Sequence, residues 1–191
     1  MNTEQLGAHE VLELHEVLTC AINSINQFHI YETLVTDESL LEILHHQLNF
    51  MINEYNQLIQ LTQKPETMTE GKSTYKVFSE FVPRYGLDNP MQVYPKPSIQ
   101  NMTDQDLAQG MLSIHKSSAV VKMTASLEIS NKNLRDTIIQ SAKNCSDQAY
   151  ELFEYMNRRG FYQVPTLVNQ NDLLAKYIEA PNEDQLRNGF Q

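Results

Sequence analysis

The chain lacks any lysine or arginine before Lys64. Residues 1–63 contain nine carboxylates and carry a formal charge of −9, whereas residues 64–191 contain 15 acidic and 14 basic residues and carry −1. Proteins that bind nucleic acid need a basic surface along the phosphate backbone. The missing positive charge therefore predicts that nucleic acid is not a partner, and the acidic first third favours basic protein partners.

The sequence also lacks long apolar runs and a cysteine framework. No stretch of about 18 consecutive apolar residues occurs, so no transmembrane helix is predicted. Residues 1–9 contain no Lys or Arg and precede no long apolar segment, which argues against a secretory signal. Cys20 and Cys145 have no CxxC partner and fall in helical patterns, so we expect buried, reduced thiols. These observations predict synthesis in the cytoplasm.

The familiar catalytic motifs are missing as well. The sequence contains no Gly-x-Ser-x-Gly, no phosphate-binding loop and no dinucleotide fingerprint. A thiol on an apolar helix face keeps a high pKa and stays unreactive, which argues against Cys20 and Cys145 as nucleophiles. We therefore expect no enzyme activity, no catalytic residues and no cofactor.

Four segments have apolar residues at the spacing of an amphipathic helix. They cover about residues 8–33, 37–63, 104–129 and 133–159. Since only Leu34–Thr36 separates the first two, we expect them to form an antiparallel hairpin. In the second segment, the predicted core face consists of Leu41, Leu44, Leu48, Met51, Tyr55 and Leu58.

Two of the predicted helix ends have recognisable signals. Thr103 precedes the third helix, with Asp106 three residues later, as in an N-terminal cap. The fourth helix ends on Arg158, Arg159 and Gly160, which are basic residues followed by a glycine stop. A tail over 161–191 follows, in which we expect a short helix from Asp172 to Glu179.

Residues 64–103 interrupt the helical pattern. The breakers are Pro65, Gly71, Pro83, Gly86, Pro90, Pro95 and Pro97. Many apolar residues lie between them, so we expect an ordered crossover on the bundle surface, with a short helix near 74–81. Two helical hairpins joined by a long crossover are the ferritin-like layout. The sequence therefore predicts an all-α, ferritin-like four-helix bundle with 1–191 as one domain.

Several stretches resemble the spore coat protein F family of endospore-forming bacteria. They are Gly7–Val11 running into Leu14–Leu18, Asn49–Asn56, Lys116–Ala119 and, as the most specific, Tyr150–Leu167. The resemblance implies a ferritin-like bundle made during sporulation and located in the spore coat or its assembly. It brings no catalytic residues, so it implies a structural protein that self-associates or binds other coat components.

A ferritin-like bundle raises the alternative of a metal-binding protein with oxidase or storage activity. Such a site takes Glu from two helices and Glu-x-x-His from the other two. Glu42 and His45 have that spacing, but the fourth helix offers Glu151 and no histidine. If the second and third helices are parallel, Glu42, His45, His115 and Glu151 could form a looser site for zinc, manganese or iron. Because histidines on helices more often pack or face solvent, we favour the structural interpretation.

Overall fold

The computed structural model describes residues 6–63, 72–77 and 80–180. This part of the chain is helical, with a single-residue parallel bridge between Tyr85 and Val164 and no strand. The helices are α1 (Ala8–Glu32), α2 (Glu38–Gln63), a 3₁₀ helix (Ile99–Asn101), α3 (Asp104–Glu128), α4 (Lys132–Arg158) and α5 (Gln170–Ala175). The all-α prediction is confirmed, and the ends of α1 to α4 lie within one residue of the predicted ones. The single domain over 1–191 stays a prediction.

The two predicted helix ends have the expected geometry. The main-chain N–H and the hydroxyl of Thr103 both donate to Asp106 Oδ2, at 2.9 and 2.7 Å, which caps the start of α3. After α4, Gly160 has a φ of +74°, and the next N–H, of Phe161, donates to the Met156 carbonyl at 2.8 Å. A glycine in this left-handed conformation is the usual way to end a helix.

The four long helices bury residues at alternating steps of four and three. In α1 they are Glu10, Leu14, Val17, Ser24 and Phe28, and in α2 they are Leu40, Leu44, Gln47, Met51, Glu54, Leu58 and Leu61. In α3 they are Ala108, Met111, His115, Ser118, Lys122, Ala125 and Ile129, and in α4 they are Leu134, Ile138, Ser141, Cys145, Gln148, Leu152 and Tyr155. This heptad spacing gives helices packed close to parallel or antiparallel, with side chains of one inserted between those of the next.

Contacts between helices give their directions. Gln47 of α2 contacts His115 of α3, and Glu54 contacts Lys122, so α2 and α3 are parallel. Glu54 also contacts Asn144 of α4, while Gln47 contacts the later residue Glu151, so α2 and α4 are antiparallel. In α1 and α2, Leu14 and Val17 pack near Leu58 and Leu61 at the far ends from the turn. The predicted antiparallel hairpin is therefore present.

The first part of the crossover lies in the groove between α2 and α4. The Tyr75 ring packs edge-on against Phe50 of α2, and its N–H donates to Asn144 Oδ1 of α4 at 3.0 Å. Further along α4, Phe81 packs against Phe153. The short helix predicted near 74–81 is wrong for residues 74–77 and 80–81, which are not helical, and residues 78–79 lie outside the described residues. Here the main-chain groups bond to α4 instead of to each other.

The second part of the crossover passes over one end of the bundle, which we call the upper end, where α1 ends and α2 begins. Asp88 N–H donates to Gln163 Oε1, just beyond α4, and Lys96 lies 3.7 Å from Asp106 at the start of α3. The tail helix α5 begins and ends earlier than the predicted 172–179. Within the described ranges, no helix is long and apolar enough to cross a membrane.

Candidate functional site

The bundle interior has apolar ends and a polar middle. The upper apolar cluster includes Phe28, Leu44, Met111 and Leu152. The lower apolar cluster includes Leu14, Leu58, Ile129 and Ile138. Between them lie buried polar side chains, which we call the middle polar layer: Gln47, Glu54, His115, Lys122, Asn144, Cys145 and Gln148. Buried polar groups are costly unless paired, which makes this layer the candidate functional site.

Heptad spacing aligns the polar residues of α2 and α3. Gln47 and Glu54 are seven residues apart, as are His115 and Lys122, and seven residues are about two helical turns. Because α2 and α3 are parallel, both pairs face each other at the same offset. The layer therefore has an upper half around Gln47 and His115 and a lower half around Glu54 and Lys122.

The lower half contains a buried ion pair. Lys122 Nζ lies 2.9 Å from Glu54 Oε2 and 3.1 Å from Cys145 Sγ, and Asn144 Nδ2 donates to Glu54 Oε1 at 2.7 Å. Burial opposes the ammonium charge, but the Cys145 sulfur and the Glu54 carboxylate outweigh burial and raise the pKa of Lys122. Burial raises the pKa of the Cys145 thiol, although Lys122 acts in the opposite direction. The pair is thus an ammonium and a carboxylate beside a neutral thiol.

The two cysteines have different surroundings. Cys145 is buried as predicted, whereas Cys20 is half-buried, which corrects the expectation for that residue. Cys20 Sγ lies 3.5 Å from Ser118 Oγ, at the border between α1 and α3. Helix α1 meets α3 there through small side chains, which leave the thiol only partly covered.

The upper half is built around a neutral histidine. His115 Nε2 lies 2.8 Å from Gln47 Oε1, and because an amide oxygen only accepts, Nε2 carries the hydrogen. Burial and then the charge of Lys122 lower the pKa of His115 to about 3. Gln47 Nε2 in turn donates to Glu151 Oε2 at 2.8 Å and to the Gln148 carbonyl at 3.1 Å. A chain of hydrogen bonds therefore leads from α3 through α2 to α4.

The crossover closes the outer edge of this half. The Tyr75 hydroxyl donates to Glu151 Oε2 and lies 2.9 Å from His46 Nδ1. Burial and then the hydrogen bond to Glu151 raise the pKa of the Tyr75 hydroxyl. His46 Nδ1 is 3.8 Å from Glu151 Oε1. The carboxylate is thus shared by residues from α2 and from the crossover.

The structure separates the residues predicted to bind metal. His115 and Glu151 both contact Gln47, but His45 Nε2 lies 2.9 Å from Glu32 Oε1 of α1, and Glu42 is exposed. Among residues 6–63, 72–77 and 80–180, no group of three or more His, Cys, Asp or Glu side chains could hold a metal ion. His115 also presents an N–H, not a lone pair, toward Gln47. The donor set does not fit a metal in this arrangement, and the site at Glu42, His45, His115 and Glu151 stays a prediction.

The layer leaves little internal space. A cavity of about 20 Å³ is lined by residues including Glu54, His115, Ser118, Lys122 and Cys145. That volume holds about one water molecule. The middle polar layer can therefore bind its own groups to each other, and it has no room for an organic substrate.

Comparison with known proteins connects the chain to one family. The family model of the Coat F domain matches residues 103–165, which cover α3, α4 and the start of the tail. The chain is also 30% identical over 187 residues to the spore coat protein F-like protein YhcQ of Bacillus subtilis (strain 168). That match covers 96% of this chain and 80% of the relative. No solved structure matches, so the ferritin-like assignment stays a prediction. The chain therefore belongs to the spore coat protein F-like family.

Proposed function

We propose that the protein is a structural, non-enzymatic component of the spore coat that acts by binding other proteins. The observation that carries this proposal is the similarity to a spore coat protein F-like protein over 96% of the chain. The match includes all four long helices, so the likeness extends to the whole bundle and is not confined to one motif. The proposed location is the coat of the spore, with other coat components as partners.

The middle polar layer supports a structural role. Lys122 is paired with Glu54, and His115 is held neutral by Gln47. A catalytic acid or base must reach a substrate, whereas these groups surround a cavity of about 20 Å³. Buried polar pairs can instead fix the register of neighbouring helices, which is the role proposed for this layer.

The outer surface of the first hairpin supports binding to basic partners. Glu16, Glu38 and Glu42 are exposed, and α1 and α2 contain no Lys or Arg. Complementary charge speeds encounter and selects partners more than it raises affinity. We therefore expect coat proteins with basic surfaces to bind this hairpin, with an affinity that falls as salt is added.

Fractionation of spores tests the proposed function. The full chain would be expressed from a sporulation-time promoter in a Bacillus host, and purified spores would be separated into coat extract and core lysate. We expect immunoblots to detect the protein in the coat extract. Detection in the core lysate alone, or in non-sporulating cells alone, would contradict the proposal.

The alternative, a metal-binding protein with oxidase or storage activity, is separated by a different measurement. Elemental analysis would be made on protein purified without an affinity tag. Iron, manganese or zinc near one equivalent, lost in Glu151→Gln, would favour the alternative. Metal at trace level would favour the structural proposal.

A further inference from the structure

Opposite sides of the bundle differ in what covers them. Helix α1 contacts α2 and α3, and α4 contacts the same two helices, so the α1–α3 side is opposite the α2–α4 side. Residues 72–77 and 80–84 of the crossover cover the α2–α4 side, through Tyr75 and Arg84. On the other side, an open groove of about 530 Å³ runs between α1 and α3. We call it the α1–α3 groove.

The walls of the α1–α3 groove are suited to the main chain of a peptide. Its hydroxyl and amide side chains include Thr19, Asn23 and Gln27 of α1 and Ser113 and Ser117 of α3. Such groups can bond to the free N–H and C=O groups of an extended segment. The half-buried Ile114 and Val121 add apolar contact at the base of the groove.

A glycine shapes one end of this groove. A Cβ at Gly110 would lie 2.7 Å from the Tyr31 hydroxyl, so any larger residue would displace the Tyr31 side chain. Gly110 therefore lets Tyr31 pack flat against α3. The groove keeps a smooth wall at the end nearest the start of α3.

An exposed, extended segment of the same chain has the complementary character. Residues 87–95 are all exposed, and they include Leu87 (61%), Met91 (57%), Val93 (77%) and Tyr94 (65%). Residues 90–96 have no helix, turn or bend, and Pro90 and Pro95 favour an extended backbone. Contiguous exposed apolar residues mark interaction surfaces. We call residues 87–95 the apolar segment.

Lengths and charges of the two surfaces agree. Seven extended residues, 90–96, span about 23 Å, and the groove residues from Glu16 to Tyr31 span about 22 Å of helix. Crossover residues 72–102 contain four Lys or Arg and two Asp or Glu, whereas α1 contains four Glu and no Lys or Arg. A segment from a net positive crossover therefore meets an acidic helix.

The apolar segment cannot lie along the groove of its own copy. It is held near both ends, by Asp88 at Gln163 and by Lys96 at Asp106. The groove extends away from Asp106 for about 17 Å, the length of the eleven residues from Gly110 to Val121, so a segment fixed at both ends cannot follow it. We propose that the apolar segment of one copy binds in the α1–α3 groove of a second copy.

This contact would deepen the proposed function, on which it rests, by making the chain its own coat partner. The segment and groove are two different surfaces, so the contact is heterologous, with one of each surface per copy. A contact of this length is at the small end of specific interfaces, and we expect a dissociation constant on the order of micromolar or weaker.

Sedimentation of matched variants tests the contact. The 22.0 kDa chain should associate with rising concentration, and Val93→Asp and Ser117→Trp should each sediment as monomers. Leu127→Asp is the control, because Leu127 is 78% exposed on α3 and belongs to neither surface. Thermal melts would show that all three variants fold. Wild-type protein that stays monomeric up to about 0.5 mM, well above the micromolar range expected, would overturn the proposal.

Mixing the two variants distinguishes segment-in-groove binding from other forms of association. Val93→Asp keeps an intact groove and Ser117→Trp keeps an intact apolar segment, so an equimolar mixture should form a dimer of one copy each. A mixture that stays monomeric, or Ser117→Trp protein that associates like wild type, would overturn the proposal. A monomeric protein still found in the coat extract would overturn this inference alone and leave the proposed function standing.

Discussion

The apolar ends of the bundle and its polar middle stabilise the fold in different ways. In the upper and lower apolar clusters, each fully buried Leu or Phe side chain contributes about 1.5–3 kcal/mol through removal from water, with little dependence on direction. In the middle polar layer, Lys122 must meet Glu54 and His115 must meet Gln47. The comparison indicates that the ends supply most of the free energy of folding, and that the middle fixes the register of the helices.

The largest expected effect breaks a pair in the middle layer. Lys122→Met should destabilise the protein by about 3–5 kcal/mol, because the Glu54 carboxylate stays buried without its ammonium partner. Urea unfolding followed by circular dichroism measures the change. The Lys122→Met and Glu54→Leu double variant should recover much of the loss, since apolar pairs often replace buried ion pairs at little cost. A loss below about 1 kcal/mol in the single variant would contradict the role of the pair.

A smaller or equal effect is expected in the upper apolar cluster. Leu152→Ala and Leu48→Ala should each destabilise by about 2–5 kcal/mol, with the larger loss at Leu152, which is completely buried. Leu127→Ala, at an exposed position, should change stability by less than about 0.5 kcal/mol. Equal urea midpoints for all three variants and the parent would show that burial does not distinguish the apolar ends from the surface.

The sequence predicts the number, ends and pairing of the helices, because apolar periodicity and capping residues are local signals. It misplaces part of the core face of α2, where the structure buries Leu40, Gln47 and Glu54, and leaves Leu41 and Tyr55 half-buried. A search for apolar residues alone moves the core face to an apolar neighbour wherever the heptad position is polar. A strict alternation of four and three from Leu40 would have found both Gln47 and Glu54.

The partners of the middle layer are harder to predict than its positions. Gln47 and His115 are 68 residues apart, as are Glu54 and Lys122, so their contact depends on the direction of α3 relative to α2. That direction follows from the path of the crossover, which no local pattern specifies. The predicted cluster of Glu42, His45, His115 and Glu151 has the correct height for two members. It fails to place His45, which faces Glu32, where His46 approaches Glu151.

The smallest expected effect concerns Glu10, a buried polar residue at the lower, apolar end. Its Oε1 accepts hydrogen bonds from the N–H groups of Ser130 and Asn131 and from the Ser130 hydroxyl, and Oε2 accepts from the Gly7 N–H. Burial opposes ionisation, but the hydrogen bonds from Asn131, Gly7 and Ser130 outweigh it and lower the pKa of Glu10 below 4.5. This carboxylate joins the start of α1 to the start of α4.

Glu10→Gln should cost about 1–2 kcal/mol near neutral pH, because an amide nitrogen would face an N–H group. A lowered pKa in the folded state stabilises the protein above the unfolded pKa of 4.5, and this contribution is lost as pH falls through the folded value. The gap between wild type and variant should therefore narrow in acid. Urea titrations from about pH 7 to about pH 3 measure it, and a constant or widening gap would count against the capping role.

The protonation state of His115 tests most directly whether the middle polar layer is closed. Nitrogen-detected NMR of the folded protein would follow both ring nitrogens from about pH 8 to about pH 5, the range in which an unperturbed histidine titrates. With its pKa lowered to about 3 by burial and by Lys122, His115 should stay neutral throughout, with the hydrogen on Nε2. A midpoint near the ordinary value of 6.5, or a hydrogen on Nδ1, would show an interior open to water and contradict this structural account.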